Sequence, residues 1–332
     1  MLRKWYCQLD FTLTINPIDP ILVKSGTAQV TGADMFPVAM KDANGGDQYY
    51  LPGTSLKGVF RSHLERVGRT LNPASVCVPY YDPIRTDRSS IPVEDQQRNF
   101  GCSYLLSSQT QKPTVYRLAC PACRIFGLLG FAGRFHVSDA LAASNNKPRK
   151  EQRDGVGIDR FTGGSARGVL FNQEVLVGGQ YVAQVRLTNF ELWQLSALTV
   201  LLMDLKDGML QVGSGKSRSL GRVQAEASDI SLTYLRNPSQ DPGHSVLRGL
   251  YQLESDEARK AYGFLGWQLE QSIELGVRRA RGLRDVFDVD STAWESWSDR
   301  LVPGFAASLD GHAKSKEVIA LREAAANPQA AG

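Results

Sequence analysis

The order of hydrophobic patterns along residues 1–236 constrains the fold more than any other feature. Two stretches alternate apolar and polar residues around a segment with apolar residues at helical spacing, and the same order then recurs. Since β-branched and aromatic residues are frequent in the alternating stretches, we read them as strands. The predicted strands cover residues 5–15, 133–139, two stretches within 169–187, and 222–235, and the predicted helices cover residues 54–71 and 192–206.

A strand–helix–strand order that occurs twice is typical of a ferredoxin-like or RNA-recognition-motif fold, although many α+β chains share it. We therefore predict an α+β protein with such a core over residues 1–236. A linker rich in Pro, Ser and Asp follows at residues 237–243. Beyond it we predict a helical C-terminal extension, residues 237–332, with its main helices over 258–275 and 293–301.

Charge is distributed unevenly along the chain. Residues 1–236 hold 27 Lys and Arg against 20 Asp and Glu, a net charge of +7, whereas residues 237–332 hold 11 against 14, a net charge of −3. A basic main body fits a polyanionic partner. Without a membrane-spanning apolar run or a signal-peptide pattern at the start, we expect a cytoplasmic protein whose cysteines are reduced or metal-bound.

The start of the first helix carries groups suited to an anion. Pro52–Gly53 predicts a turn, and Thr54 and Ser55 are favourable N-cap residues. Lys57 and Arg61 follow one helical turn apart, near the free N–H groups of the helix N-terminus. We predict that Ser55, Lys57 and Arg61 contact phosphate groups. The alternative is an ordinary capped helix with a solvated basic face.

Four of the five cysteines lie in or beside a stretch rich in Pro, Ser, Arg and Asp. Cys120 and Cys123 have the two-residue spacing that places two thiolates on one tetrahedral metal, and Cys77 and Cys102 would complete the set. We predict that residues 72–126 form a zinc-binding insertion, in which structural Zn²⁺ supplies the stability that the segment otherwise lacks. Free thiols and a redox Cys-x-x-Cys pair remain the alternatives.

A glycine-rich loop at residues 213–221 reads Gly-Ser-Gly-Lys-Ser-Arg-Ser-Leu-Gly. Glycines let the backbone approach a ligand closely, while Lys216, Ser217 and Arg218 offer charge and hydroxyl donors. The loop resembles a phosphate-binding nest more than a nucleotide P-loop. The alternative is a flexible hairpin.

Five short motifs occur in an order that resembles the RAMP superfamily of CRISPR proteins. The likeness is greatest to the guide-RNA-binding backbone subunit of type III effector complexes, including III-D-like ones, and covers residues 5–235. The motifs are Pro-Gly-Thr-Ser-Leu-Lys-Gly at 52–58, Cys-x-x-Cys-x-x-Phe-Gly at 120–127, Gly-Arg-Phe-x-x-Ser-Asp-Ala at 133–140, Ile-Asp-Arg-Phe-Thr-Gly at 158–163, and the glycine-rich loop at 213–221.

The resemblance implies a function. Such subunits stack along a CRISPR guide RNA beside other effector subunits, and each projects a β-hairpin thumb that displaces one guide–target base pair. The thumb corresponds to residues 140–170, which include Arg160 as a candidate RNA contact. The loop at residues 32–38 matches the one whose aspartate cuts the target RNA, and Asp34 falls on that position.

Asp34 is therefore the candidate catalytic residue of a divalent-metal-dependent endoribonuclease. A carboxylate beside a displaced nucleotide can orient Mg²⁺ or Mn²⁺, or accept the proton of a 2′-OH nucleophile. The residues alone favour a turn-capping role for Asp34, and only the resemblance reverses this preference. Two further functions remain open: a scaffold or capping subunit without cleavage, and a stand-alone RAMP repeat-RNA endonuclease. The second is disfavoured because His63 and His136 do not lie around the glycine-rich loop.

Overall fold

The computed structural model describes residues 4–26, 33–79, 100–109, 111–236 and 245–326. The strands are β1 (Cys7–Pro17), β2 (Ala39–Lys41), β3 (Asp47–Leu51), β4 (Gly127–Leu128), β5 (Phe131–Ala132), β6 (Phe135–Val137), β7 (Ala140–Ala142), β8 (Arg149–Ile158), β9 (Ser165–Val177), β10 (Tyr181–Thr188), β11 (Leu210–Gln211), β12 (Arg222–Leu235), β13 (Arg278–Arg281) and β14 (Arg284–Val289). The helices are α1 (Gly53–Leu71), α2 (Cys102–Leu105), α3 (Lys112–Leu118), α4 (Pro121–Phe126), α5 (Leu192–Lys206), α6 (Leu250–Leu253), α7 (Asp256–Tyr262), α8 (Ser291–Leu301), α9 (Pro303–Ala313) and α10 (Lys316–Ala326).

One antiparallel sheet organises the chain. Its strand order is β13-β14-β12-β1-β10-β7-β3-β2, with β6 also paired to β10 and β11 to β12. The central order β12-β1-β10-β7, together with α1 and α5, is consistent with the ferredoxin-like core expected from the sequence. No helix among the described residues is both long and apolar enough to cross a membrane.

The core forms because the alternation in β1 separates two faces of the sheet. Cys7, Leu9, Phe11, Leu13 and Ile15 are at most 2% exposed, and the residues between them are half-buried. Helices α1 and α5 pack against the apolar face, and α8 and α9 pack against α5. The bounds of α5 and β12 match the sequence-based predictions. Helix α5 is largely apolar along its length, and β12 alternates on both sides of an irregularity between Ser228 and Ser231.

Helix α1 begins one residue earlier than predicted, at Gly53, and its N-cap is Pro52 rather than Thr54 or Ser55. The Gly53 N–H donates to Asp139 Oδ1 at 2.7 Å, so a carboxylate from another part of the chain caps the helix. Gly53 is needed for close packing: an added Cβ would lie 2.4 Å from the carbonyl oxygen of Val137. The turn predicted at Pro52–Gly53 is replaced by the start of α1, because Gly53 is its first residue.

The C-terminal extension, predicted to be helical, contains a β-hairpin besides its helices. Strands β13 and β14 form a hairpin, and β14 joins the edge of the main sheet beside β12. The helix predicted over 258–275 ends at Tyr262 because Gly263 takes a left-handed conformation, φ 58°, that terminates α7. The helix predicted over 293–301 is present as α8.

A separate two-stranded sheet, β8–β9, stands apart from the main sheet and corresponds to the expected thumb. It covers residues 149–177, whereas the sequence-based bounds were 140–170; residues 140–142 belong to β7 in the main sheet. Met35 and Ile21 bridge to β9 at Gln173 and Leu176, so the hairpin is fixed at its base. Part of the sequence-predicted insertion at 72–126 lies outside the described residues, and its described parts carry α2, α3 and α4.

Candidate functional site

The four cysteines predicted as metal ligands come together in the structure. Cys77 follows α1, Cys102 begins α2, and Cys120 and Cys123 lie at the N-cap and in the first turn of α4. All four are buried, and their sulfur atoms lie within 4.8 Å of one another. The fifth cysteine, Cys7, is buried in β1, with its Sγ 3.8 Å from the carbonyl oxygen of Phe190.

The cluster has the dimensions of a tetrahedral thiolate site. A metal with bonds of about 2.3 Å to four sulfurs separates neighbouring sulfurs by about 3.8 Å. Cys77 Sγ lies 3.7 Å from Cys123 Sγ and 3.6 Å from Cys120 Sγ. This buried cluster of four cysteines could therefore bind a metal ion such as zinc.

The thiols of the cluster shift one another's pKa values in opposite directions. Hydrogen bonds with neighbouring thiols raise the pKa of Cys77 and of Cys123 well above its usual value. Burial alone would raise the pKa of Cys120, but hydrogen bonds from the other three thiols lower that pKa well below its usual value. The backbone N–H of Cys120 donates to Cys102 Sγ at 3.3 Å, and the Arg61 guanidinium donates to Cys123 Sγ at 3.3 Å. A backbone donor and a cation thus face sulfurs that carry negative charge when a metal is bound.

Hydrogen bonds hold the Arg61 guanidinium beside this cluster. Its other nitrogens donate to Glu65 Oε1 at 2.8 Å and to the carbonyl oxygen of Gly127 at 2.9 Å. Its side chain is only 24% exposed. The surface proposed below for RNA therefore does not include Arg61.

Asp34 lies against the base of the hairpin. Its Oδ2 accepts the backbone N–H of Asn172, in β9, at 3.0 Å, and the next residue, Met35, donates to the Asn172 carbonyl oxygen at 3.3 Å. Asp34 is exposed, and its Oδ1 has no hydrogen-bond partner within the described ranges. One carboxylate oxygen is therefore held in place while the other faces solvent.

The glycine-rich loop meets the same strand. The Arg218 guanidinium lies 5.0 Å from the ring centroid of Phe171, and it contacts Gln173 Oε1 at 3.5 Å. Phe171 lies across Gly155 of β8, where an added Cβ would be only 2.2 Å from the ring. The stack of Gly155, Phe171 and Arg218 therefore connects the hairpin to the loop.

The remaining predicted RNA contacts occupy different places. Lys216 and Ser217 are exposed in the glycine-rich loop, and Arg160 is exposed at the hairpin tip. Ser55 and Lys57 are half-buried in the first turns of α1; burial and the nearby Arg61 lower the pKa of Lys57. Across the described part of the chain, no hydrogen bond or ion pair joins α1 to the glycine-rich loop, and the phosphate contacts expected at each of them stay predictions.

Sequence reasoning missed the residues that connect these pieces. Asp139 caps α1, and Phe171 and Asn172 join the hairpin to the glycine-rich loop and to Asp34. Asp139 lies in the motif at 133–140, which could have marked it. No spacing rule marks Phe171 or Asn172, because their partners lie far away in sequence. Among the described residues, the cysteines are the only group of three or more candidate metal ligands, so nothing there supports the expected Mg²⁺ or Mn²⁺ at Asp34.

The residues described above lie within the part of the chain that matches one family model. The model of the RAMP superfamily matches residues 14–224, which is more than half of the chain. No curated protein matches the chain significantly. The matched residues include Asp34, α1, the four cysteines, the β8–β9 hairpin and the glycine-rich loop. The chain therefore belongs to the RAMP superfamily, whose members are CRISPR-associated RNA-binding proteins.

Proposed function

We propose that the chain is a cytoplasmic backbone subunit of a type III CRISPR effector complex. It binds guide RNA beside neighbouring subunits and cleaves complementary target RNA at Asp34. One observation carries the proposal. Three motifs far apart in sequence, the Asp34 loop, the hairpin and the glycine-rich loop, meet at residues 171–173 of β9.

The hairpin supports the role of a thumb. At its tip, Asp159 Oδ1 accepts the N–H groups of Phe161 and Thr162, both at 2.8 Å, and these hydrogen bonds lower the pKa of Asp159. The turn holds Phe161 fully exposed. An exposed aromatic ring beside Arg160 suits stacking on a displaced base.

The glycine-rich loop supports phosphate binding. Gly213, Gly215 and Gly221 all have positive φ, and a Cβ at Gly213 or Gly221 would lie within 2.4 Å of a backbone oxygen. The loop therefore keeps a conformation that side chains at these positions would prevent. Its Arg218 contacts Phe171 and Gln173 of β9, and its Lys216 is exposed.

Asp34 supports cleavage chemistry of the following kind. A nucleotide displaced by the hairpin has its 2′-OH free to attack the adjacent phosphorus, while the 5′ oxygen of the next nucleotide leaves. The free Oδ1 of Asp34 accepts the proton of the attacking hydroxyl. The leaving 5′ oxygen takes a proton from water, so the products are a 2′,3′-cyclic phosphate and a 5′-OH.

The four cysteines, in this proposal, hold one structural Zn²⁺. Cys77, Cys102, Cys120 and Cys123 would each give one thiolate, and the ion would join the end of α1 to α2 and α4. Its contribution is stability of the segment beside the RNA-binding surfaces, since Asp34 does not lie in the cluster.

The binding part of the proposal is tested by purifying a tagged chain from its native cell. We expect co-purifying effector subunits and a bound RNA of uniform length. Replacing Lys216 and Arg218 with alanine should reduce the salt dependence of RNA binding by a slope of about 1.4, from about 0.7 for each single-strand phosphate contact. An RNA-free chain without partners would contradict this part.

The cleavage part is tested with Asp34→Asn in the assembled complex. Asparagine keeps an oxygen for the Asn172 N–H but removes the carboxylate, so assembly should persist while cleavage at this subunit's position is lost. Asp42→Ala is the matched control, because Asp42 is an exposed acid that only caps a turn through Asn44 and Gly46. Persistent cleavage in Asp34→Asn would falsify the assignment, and intact RNA binding without any cleavage in the wild type would favour a scaffold subunit.

A further inference from the structure

The hairpin β13–β14 carries an unusual concentration of positive charge. Arg278, Arg279, Arg281 and Arg284 lie within seven consecutive residues and are all exposed. The hairpin extends the main sheet beyond β12, through pairing of β14 with β12. It lies outside the residues that match the RAMP family model, so the family does not explain it.

Two of the four arginines are used within the fold. Arg278 lies 3.7 Å from the buried carboxylate of Asp285, and Arg279 lies 2.5 Å from Asp288. Arg281 and Arg284 are different. They are directly opposite each other in the register of the hairpin, and neither forms an ion pair with any residue in the described ranges. Like charges in facing positions are destabilising, and a bound anion would relieve this repulsion.

Both arginines line a cleft of about 840 Å³ on the open face of the main sheet. Its floor is polar, with Gln8, Ser231 and Thr233 from β1 and β12, and Trp5 forms part of its wall. The Trp5 indole N–H donates to Gln8 Oε1 at 3.2 Å, which fixes one edge of the ring. Cations, an aromatic ring and hydrogen-bonding side chains therefore share one open surface.

The acidic residues of the cleft do not neutralise Arg281 and Arg284. Asp10 pairs with Arg186 at 2.7 Å, and Asp288 pairs with Arg279. Asp290 caps α8 by accepting the Thr292 N–H at 2.8 Å. Asp229 accepts the Ser228 hydroxyl at 3.3 Å.

We propose that this cleft is a second binding site, specific for single-stranded nucleic acid. Arg281 and Arg284 bind the phosphates of the backbone, and Trp5 stacks on a base. A single strand fits because it presents regularly spaced phosphates and unpaired bases at once, and because base stacking tolerates any sequence. A duplex keeps its bases stacked inside and offers Trp5 no partner.

The site is tested with the full-length chain and a fluorescein-labelled 12-nucleotide single strand, followed by fluorescence anisotropy at several salt concentrations. Two lost phosphate contacts correspond to a salt slope lower by about 1.4 and to binding about 25-fold weaker at 0.1 M salt. We expect this change for the double variant Arg281→Ala/Arg284→Ala. The matched control is Lys260→Ala/Lys316→Ala, which removes the same charge from exposed helical positions and should bind as the wild type does.

Trp5→Ala separates stacking from charge: it should weaken binding without changing the salt slope. RNA and DNA single strands of one sequence show whether a 2′-OH matters, and a labelled duplex should bind less tightly than either. Equal loss of binding in the arginine variant and in the lysine control would overturn the proposal, because the effect would then be one of net charge alone.

A second background keeps this site distinct from the proposed guide-RNA surface. In a chain already carrying Lys216→Ala and Arg218→Ala, the arginine substitutions should still weaken binding by the same factor. If the arginine substitutions have no effect in that background, the cleft is not a binding site, whether or not the glycine-rich loop binds RNA. If the arginine substitutions weaken binding while the loop substitutions have no effect, the cleft is a binding site and the proposed guide-RNA surface is wrong.

Discussion

The metal site makes the most demanding prediction, because one substitution should change both composition and stability. If the four thiolates hold one ion, it closes two loops, of about 25 residues between Cys77 and Cys102 and about 18 between Cys102 and Cys120. Treated as cross-links, these loops restrict the unfolded chain by about 3.5 and about 3.2 kcal/mol, about 7 kcal/mol together. A domain's whole stability is only about 5–15 kcal/mol.

Cys120→Ser removes one ligand from the centre of this arrangement. We expect less than about half an equivalent of metal in the purified variant and, at roughly 1.4 °C per kcal/mol for a chain of this size, a melting temperature lower by about 10 °C. Elemental analysis and calorimetry on the same samples measure both quantities. Chelation of the wild type should give a similar decrease, and added Zn²⁺ should reverse it.

Cys7→Ala is the matched control. Cys7 is also fully buried, but it lies in β1 beside Phe190, so its loss should cost about 1 kcal/mol in packing and no metal. Wild-type protein without metal, or a Cys120→Ser variant that melts no lower than Cys7→Ala, would refute the cross-link reasoning.

Two further predictions concern α1. Gly53→Ala places a Cβ 2.4 Å from the Val137 carbonyl oxygen and should destabilise the fold by about 1–3 kcal/mol, whereas Gly58→Ala, with no atom within 4 Å, should stabilise it by about 0.5–1 kcal/mol; urea unfolding of both variants measures this. The packing explanation requires that the two substitutions change the free energy of unfolding in opposite directions, and equal changes would exclude it. Arg61→Ala leaves the buried Glu65 without its nearest cation and should cost about 3–5 kcal/mol at neutral pH. Burial raises the pKa of Glu65 in the folded protein above its unfolded value of 4.5. The loss of stability should therefore be complete above the folded pKa, where Glu65 is charged, and should shrink as the pH falls towards 4.5. Unfolding curves across that pH range would detect this change.

Local periodicity was enough to predict the main elements of the core. The alternation of β1, the apolar run of α5 and the length of β12 follow from which side chains must leave water, and the neighbouring sequence contains that information. The same logic failed beyond residue 237. There the net charge of −3 gave no indication of the four arginines in one hairpin. In addition, β14 pairs with β12, a strand about fifty residues earlier.

The sequence by itself therefore determined the periodic elements, the Cys120–Cys123 pair and the family motifs. Only the tertiary structure decided how distant groups combine. It placed Cys77 and Cys102 beside that pair, as the sequence predicted, turned Arg61 inward to Cys123 Sγ, and placed Asp34 and Arg218 against the same strand, β9. The physical reason is the distance along the sequence over which each kind of interaction acts. Backbone conformation and burial pattern are governed by residues a few positions apart, whereas a site depends on contacts whose spacing in sequence is set by the packing of the whole chain.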